Sequence, residues 1–310
     1  MAVKIVIIGA GAVGAAVAYS LVTANLANEV VLIDIDRARA EGEAMDIADG
    51  TPFTGPVRIY AGDYEDCRDA LVIVFAAGAN QRPGETRLDL AARNLRVVRD
   101  VTDRLLRHWS GGVLLMVTNP VDVLTYAALR FSGLPEHAVI GSGTVLDSAR
   151  FRHLLSRHCR VDARNVHAYV LGEHGDSQVF LWSRAAIAGI HVDEFCDRTG
   201  VPRPDRRQLT DQVRRAASEI ISRKGATYYG VSLCVRRICE AIVRDQQSVL
   251  TVSGLVQGYY AITDTSFSLP TVVGRKGRLK VLDLPLDDDE EKALRHSAGV
   301  LRQVLRENGL

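Results

Sequence analysis

Two groupings of residues in this 310-residue chain are placed to do chemistry. In the segment GAGAVG, Gly9, Gly11 and Gly14 occupy the three glycine positions of a phosphate-binding turn. The first allows a tight bend, the second lets a pyrophosphate approach the backbone, and the third lets the next helix pack close to its strand. That helix offers free N–H groups and the positive end of its dipole to an anion. About 20 residues on, the strand EVVLID ends in Asp34, where a carboxylate can accept hydrogen bonds from adenosine ribose hydroxyls and would repel a 2′-phosphate. NAD is therefore expected rather than NADP. The second grouping comprises GANQRPGETRLDLAARN, VTNPVD, GTVLDSARFR and GEHGDS, polar segments on expected loops or helix starts. Among their side chains are Arg87, Asn119, Asp147, Arg150 and His174. Asp147 and Arg150 are three residues apart and share a helix face, so both point into the same cleft. A guanidinium fork there suits a bidentate grip on a carboxylate.

Elements of an α/β chain must position these groups. The uncharged run Ile5 to Ala24 is long enough to cross a bilayer, but it starts β-branched, breaks at three glycines and turns Ala-rich. That order predicts strand, tight turn and helix rather than a membrane span or a signal peptide. Further strands follow at βα spacing: VRIYAG, ALVIVFAAGA, GVLLMVTNP and HAVIGSG. Their unbroken apolar runs suit a parallel sheet covered on both faces, in the doubly wound order 3-2-1-4-5-6. Past Gly143 the pattern becomes α+β. A helix starts near Asp147, a long helical stretch over 207–244 is interrupted near Gly225, short strands follow, and an amphipathic helix begins near Asp287. The length admits two full cores, and the expected division is a Rossmann domain over 1–142 and a catalytic α+β domain over 143–310. A net charge of +1 gives no footing for a nucleic acid or an anionic membrane. The five scattered cysteines fit free buried thiols in a reducing cytoplasm better than disulfides or a metal site.

With KGATYYG, these segments make the chain resemble the NAD-dependent L-2-hydroxyacid dehydrogenase family that contains lactate and malate dehydrogenases, from Val3 to the last helix. The resemblance implies that His174 exchanges a proton with the substrate oxygen while NADH supplies hydride, and that Asp147 lies against it. It implies that Arg150 grips the substrate carboxylate, that Arg87 closes over the substrate carbonyl on a lid, and that Asn119 and Thr227 line the pocket. Asn119–Pro120 becomes a candidate cis peptide, at a cost of only ~0.5–1 kcal/mol. Val13, Arg39, Tyr64, Gly78 and Ala79 are implied to touch the cofactor beside Gly9, Gly11, Gly14, Asp34 and Asn119. At the lid position where malate enzymes carry Arg, this chain has Gln81, which suits the methyl of pyruvate and favours the bacterial lactate branch. Arg82 next to it complicates that choice, so malate or another 2-hydroxyacid stays as the alternative. A non-catalytic NAD(H) sensor is a third reading, against which stand all four of His174, Asp147, Arg87 and Arg150. Arg152 and His167 match residues that, in the bacterial lactate enzymes, form a site for fructose 1,6-bisphosphate between subunits of a homotetramer.

Overall fold

The computed structural model describes residues 2–79 and 87–310, with the backbone alone for 87–89. The opening run forms β1 (Lys4–Ile8), a glycine turn and α1 (Ala12–Thr23). The chain then alternates through β2 (Glu29–Ile33), α2 (Arg37–Asp49), β3 (Arg58–Ala61), β4 (Val72–Phe75), α3 (Arg87–Leu106), β5 (Val113–Met116), α4 (Val121–Ser132) and β6 (Val139–Gly141). These six strands are parallel neighbours in the order 3-2-1-4-5-6, as their sequence spacing implies.

Both faces of the sheet are covered, and each strand feeds two cores. Val6, Ile8, Val31, Ile33, Ile73, Phe75, Leu114 and Met116 enter the core on one face. Their alternate neighbours Ile5, Ile7, Val30, Leu32, Val72, Val74, Val113 and Leu115 enter the core on the other. The period of two in side-chain direction, applied to strands that are apolar after their first residue, requires this arrangement.

The second half of the chain does not fold apart from the first. It supplies α5 (Val145–Cys159), α6 (Val192–Thr199), α7 (Arg206–Lys224), α8 (Tyr229–Val243) and α9 (Asp288–Glu307). It also adds two antiparallel strands, Ser253–Val256 and Thr265–Ser268, to the sheet beyond β6, giving eight strands in all. The apolar side of α8 (Val235, Ile238, Cys239, Ile242) packs with Val17 and Leu21 of α1 in one core. A third core, built on Phe151, Leu155, Phe180 and Trp182, carries the buried face of α5. Phe151 meets Phe180 and Trp182 edge to face, at centroid distances of 5.3 and 4.7 Å. The helical stretch expected over 207–244 is two helices. Gly225 ends α7 at φ 82°, a conformation that costs a Cβ-bearing residue about 1–2 kcal/mol, and α8 restarts at Tyr229. All five cysteines are buried free thiols. Among the described residues no helix is long and apolar enough to cross a membrane.

Glycines 11 and 14 do different jobs in the turn. A Cβ on Gly14 would stand 1.8 Å from the carbonyl oxygen of Gly9, whereas one on Gly11 would meet nothing within 4 Å. Gly14→Ala is therefore expected to force α1 off β1, at ~1–3 kcal/mol of overpacking and roughly 2–4 °C of melting temperature per kcal/mol. Gly11→Ala should melt with the parent protein. Thermal unfolding of the two variants checks this, and equal melting temperatures would contradict it.

Candidate active site

The cleft lies at the carboxyl ends of the parallel strands, where the chain leaves the sheet and turns into helices. At its β1 side, Gly9 has φ 106°, and a Cβ there would strike Ala77 backbone at 2.5 Å. Gly9 thus permits the close approach of the loops after β1 and β4. The N-terminus of α1 begins at Gly11, with no side-chain cap and no acidic residue in its first turn. Its orphan N–H groups and the open space over Gly11 fit a bound pyrophosphate. At the end of β2, Asp34 accepts from Ala10 N at 2.6 Å and from Asp36 N at 2.9 Å. These two bonds hold its carboxylate beside the glycine turn, with lone pairs left for ribose hydroxyls. Val13 is partly buried in the first turn of α1, Tyr64 is partly buried in the short helix after β3, and Arg39 is exposed at the start of α2. Gly78 and Ala79 follow β4. The residues present fit a dinucleotide.

The turn after β5 faces this region. The Asn119–Pro120 peptide is cis, and α4 starts directly after it. Asn94 of α3, 1% exposed, ties two loops together. Its Oδ1 accepts from Ala79 N at 2.9 Å, and its Nδ2 donates to Asn119 O at 2.8 Å. Asn94 is the last residue of the segment GANQRPGETRLDLAARN, and its sequence context gives it no role. Its two partners lie 15 and 25 residues away, so only the fold reveals them.

The reactive groups converge on a single carboxylate. Asp147 sits in the first turn of α5, 2% exposed. Its Oδ2 lies 2.6 Å from His174 Nδ1, and its Oδ1 accepts from Arg150 Nη1 at 3.1 Å. The Asp147 charge holds His174 protonated up to a pKa of about 9, against the opposing pull of burial and of Arg150. Burial pushes the Asp147 carboxyl upward, but the imidazolium and the guanidinium outweigh it and hold the carboxyl below its usual range. The His174 side chain stays 26% exposed and that of Arg150 16%, so both can be reached from the cleft. With Nδ1 engaged, Nε2 is the atom left to face a substrate.

Backbone geometry fixes this pair. Ser148, next to Asp147, accepts from Val170 N at 2.9 Å, and the Thr144 hydroxyl donates to Val170 O, so α5 is tied to the strand that leads to His174. Gly172 then turns at φ 81° and exchanges two 3.0 Å bonds with Ser268. Glu173 N donates to Ser297 Oγ of α9 at 2.8 Å. His174 N donates to Asp122 Oδ2 of α4 at 2.7 Å. Three successive N–H groups are held by three separate elements.

Thr227 lies in the connection between α7 and α8, partly buried. Gly230 at the start of α8 packs against Leu146, which brings that connection beside Asp147. Gln81 and the side chain of Arg87 lie outside the described residues, and Arg87 opens α3. The Arg152 guanidinium donates to Val166 O at 2.8 Å and Ala163 O at 3.0 Å. His167, the residue after Val166, is exposed.

Similarity to known proteins agrees with this arrangement. Residues 3–141 match the family model of the lactate/malate dehydrogenase NAD binding domain, and residues 144–308 that of the lactate/malate dehydrogenase alpha/beta C-terminal domain. The chain is 51% identical over 306 residues to an L-lactate dehydrogenase of Thermoanaerobacter pseudethanolicus, covering 98% of each chain. It is 50% identical over 310 residues to one of Moorella thermoacetica, covering 99% of this chain and 98% of that one. Among solved structures, a lactate dehydrogenase from a Medee basin deep-sea metagenome library superposes with a TM-score of 0.97 at 41% identity over the whole of both chains. The ligand-bound minor L-lactate dehydrogenase of Enterococcus mundtii superposes with a TM-score of 0.95 at 39% identity, covering 98% of each chain. A glycine turn and acid built for NAD, a buried Asp–His pair with an arginine beside it, and similarity along the full chain lead to one conclusion: the chain belongs to the lactate/malate dehydrogenase family.

Proposed function

We propose that this chain interconverts pyruvate and L-lactate with NAD, as a cytoplasmic homotetramer. The observation that carries the reading is the Asp147 carboxylate, which holds His174 through one oxygen and Arg150 through the other. NADH held by the glycine turn and Asp34 would supply the hydride to C2. Arg150 pairs with the substrate carboxylate through its remaining N–H groups and so sets which face of the 2-oxo acid is presented. His174, charged over the whole physiological range, donates its Nε2 proton to the carbonyl oxygen as negative charge builds there. Asp147 stays ionised and stabilises the imidazolium before transfer, and in the reverse direction it orients the neutral ring to accept the hydroxyl proton. Arg87, the first residue of α3, adds a donor to the same oxygen. Losing such a donor typically costs about 3–4 kcal/mol in the transition state. Asn119 and Thr227 border the pocket, and Gln81 faces the variable end of the substrate.

Gln81 separates lactate from malate. A neutral amide tolerates a methyl but leaves a second carboxylate unpaired, which is expensive away from water. Gln81→Arg is expected to shift the ratio of kcat/KM for oxaloacetate over pyruvate upward by about 100-fold, since charge pairs out of water are worth several kcal/mol. Steady-state rates with NADH on the two acids check it. A ratio unchanged by the substitution, or a parent enzyme that prefers oxaloacetate, would refute the lactate assignment.

Control by fructose 1,6-bisphosphate belongs to the same reading. Arg152 braces the backbone leading into His167, donating to Val166 O and Ala163 O, and His167 itself is exposed. Facing its copy across a two-fold axis, this pair of basic residues repels until a bisphosphate neutralises it. The route to the site is short, from Arg152 to Arg150 along α5 and from His167 to His174 along one segment. Fructose 1,6-bisphosphate is expected to lower the pyruvate KM by roughly tenfold, equivalent to about 1.4 kcal/mol of coupling. Arg152→Gln should abolish that response and leave the basal rate intact. A pyruvate saturation curve indifferent to saturating bisphosphate would end this part of the proposal.

A further inference from the structure

Asp122 is 2% exposed, and its Oδ2 holds the backbone N–H of His174 at 2.7 Å, across 52 residues of sequence. We infer that Asp122 is a positioning residue for His174, fixing the proton donor relative to the Asn119 turn from which α4 begins. The inference rests on the reading of His174 as proton donor.

Three observations carry it. Asp122 is three residues past Asn119, in the first turn of α4, and Asn119 is itself braced by Asn94. The carboxylate therefore joins a turn of the first half of the chain, where cofactor and substrate meet, to the His174 loop of the second half. Next, the N–H groups of Gly172 and Glu173 are held by a carbonyl and a hydroxyl, and only that of His174 is held by a carboxylate. Finally, the arrangement is costly. The other oxygen, Oδ1, is buried beside the Ser253 hydroxyl, with no well-formed hydrogen bond to either atom among the described residues. Burial pushes this carboxyl up to about 7, opposed by Ser253 and by the backbone and charge of His174. An uncharged acceptor would have satisfied the N–H group without burying a charge.

A carboxylate in this place does two things that a neutral acceptor cannot both do. It anchors the loop, and it adds its field to that of Asp147 in favour of the imidazolium. Among the described residues, the charged groups facing His174 are Asp147, Asp122 and Arg150, and those facing Asp122 are His174 and Glu173. Asp122→Asn keeps an acceptor and removes the charge, while Asp122→Ala removes both.

The test measures kcat and KM for pyruvate reduction, the pH midpoint of kcat/KM, and NADH binding by fluorescence for both variants, with His174→Gln alongside. Asp122→Ala is expected to lose roughly 10- to 100-fold in kcat, as misplaced catalytic groups do, with NADH binding unchanged. Asp122→Asn should restore most of that loss and show a lower pH midpoint than the parent enzyme. The inference is overturned by parental kcat in Asp122→Ala, by equal losses in the two variants, or by an unmoved midpoint in Asp122→Asn. If Asp122→Ala does not fold, that last measurement decides alone. Turnover retained by His174→Gln would instead overturn the proton-donor reading, so the two failures stay distinct.

Discussion

The carboxylate of Asp147 is buried with both oxygens engaged, and the chemistry of the cleft depends on it. A charge removed from water costs several kcal/mol unless it is paired, and here one anion is shared by two cations. The same carboxylate therefore orients the imidazole, holds the proton on it and keeps Arg150 aimed into the cleft. Its place in the first turn of α5 adds the favourable end of a helix dipole to the balance. Removing it would strand two partly buried cations, so its loss reaches further than that of any single donor.

Such a pair works only if α5 and the His174 loop cannot drift apart, and the interlocked halves of the chain secure this. Ser148 and Thr144 tie α5 to the strand at Val170, while Ser268, Ser297 and Asp122 take up successive N–H groups of the loop. Ser268 belongs to a strand that extends the parallel sheet, so the loop is referenced to the same sheet that carries the glycine turn and Asp34. Proton donor and dinucleotide site thus share one rigid frame. That is what an effective near-attack geometry requires.

Local signals in the sequence reached most of this. Unbroken apolar runs identified six parallel strands and their order, because a strand buried on both faces has no polar position to spare. The spacing of Asp147 and Arg150 placed both on one helix face, and glycine spacing with Asp34 marked the cofactor turn. Residues whose function is a long-range partnership were not legible. Asn94 and Asp122 are ordinary helical polar residues until the fold brings Ala79, Asn119 and His174 to them. Likewise SGLV and TSFS are short strands whose sequence does not say that they pair onto the sheet of the other half. The break between α7 and α8 is legible at Gly225, which interrupts the helical stretch expected over 207–244.

Asp147 keeps His174 charged well above the pH at which a free histidine loses its proton. The most direct measurement is an NMR titration of the His174 ring in the apoprotein, compared with Asp147→Asn. A midpoint near 9 in the parent, falling by a unit or more toward the ordinary value of about 6.5 in the variant, is the predicted result. An ordinary midpoint in the parent, or one that Asp147→Asn does not move, would contradict the account.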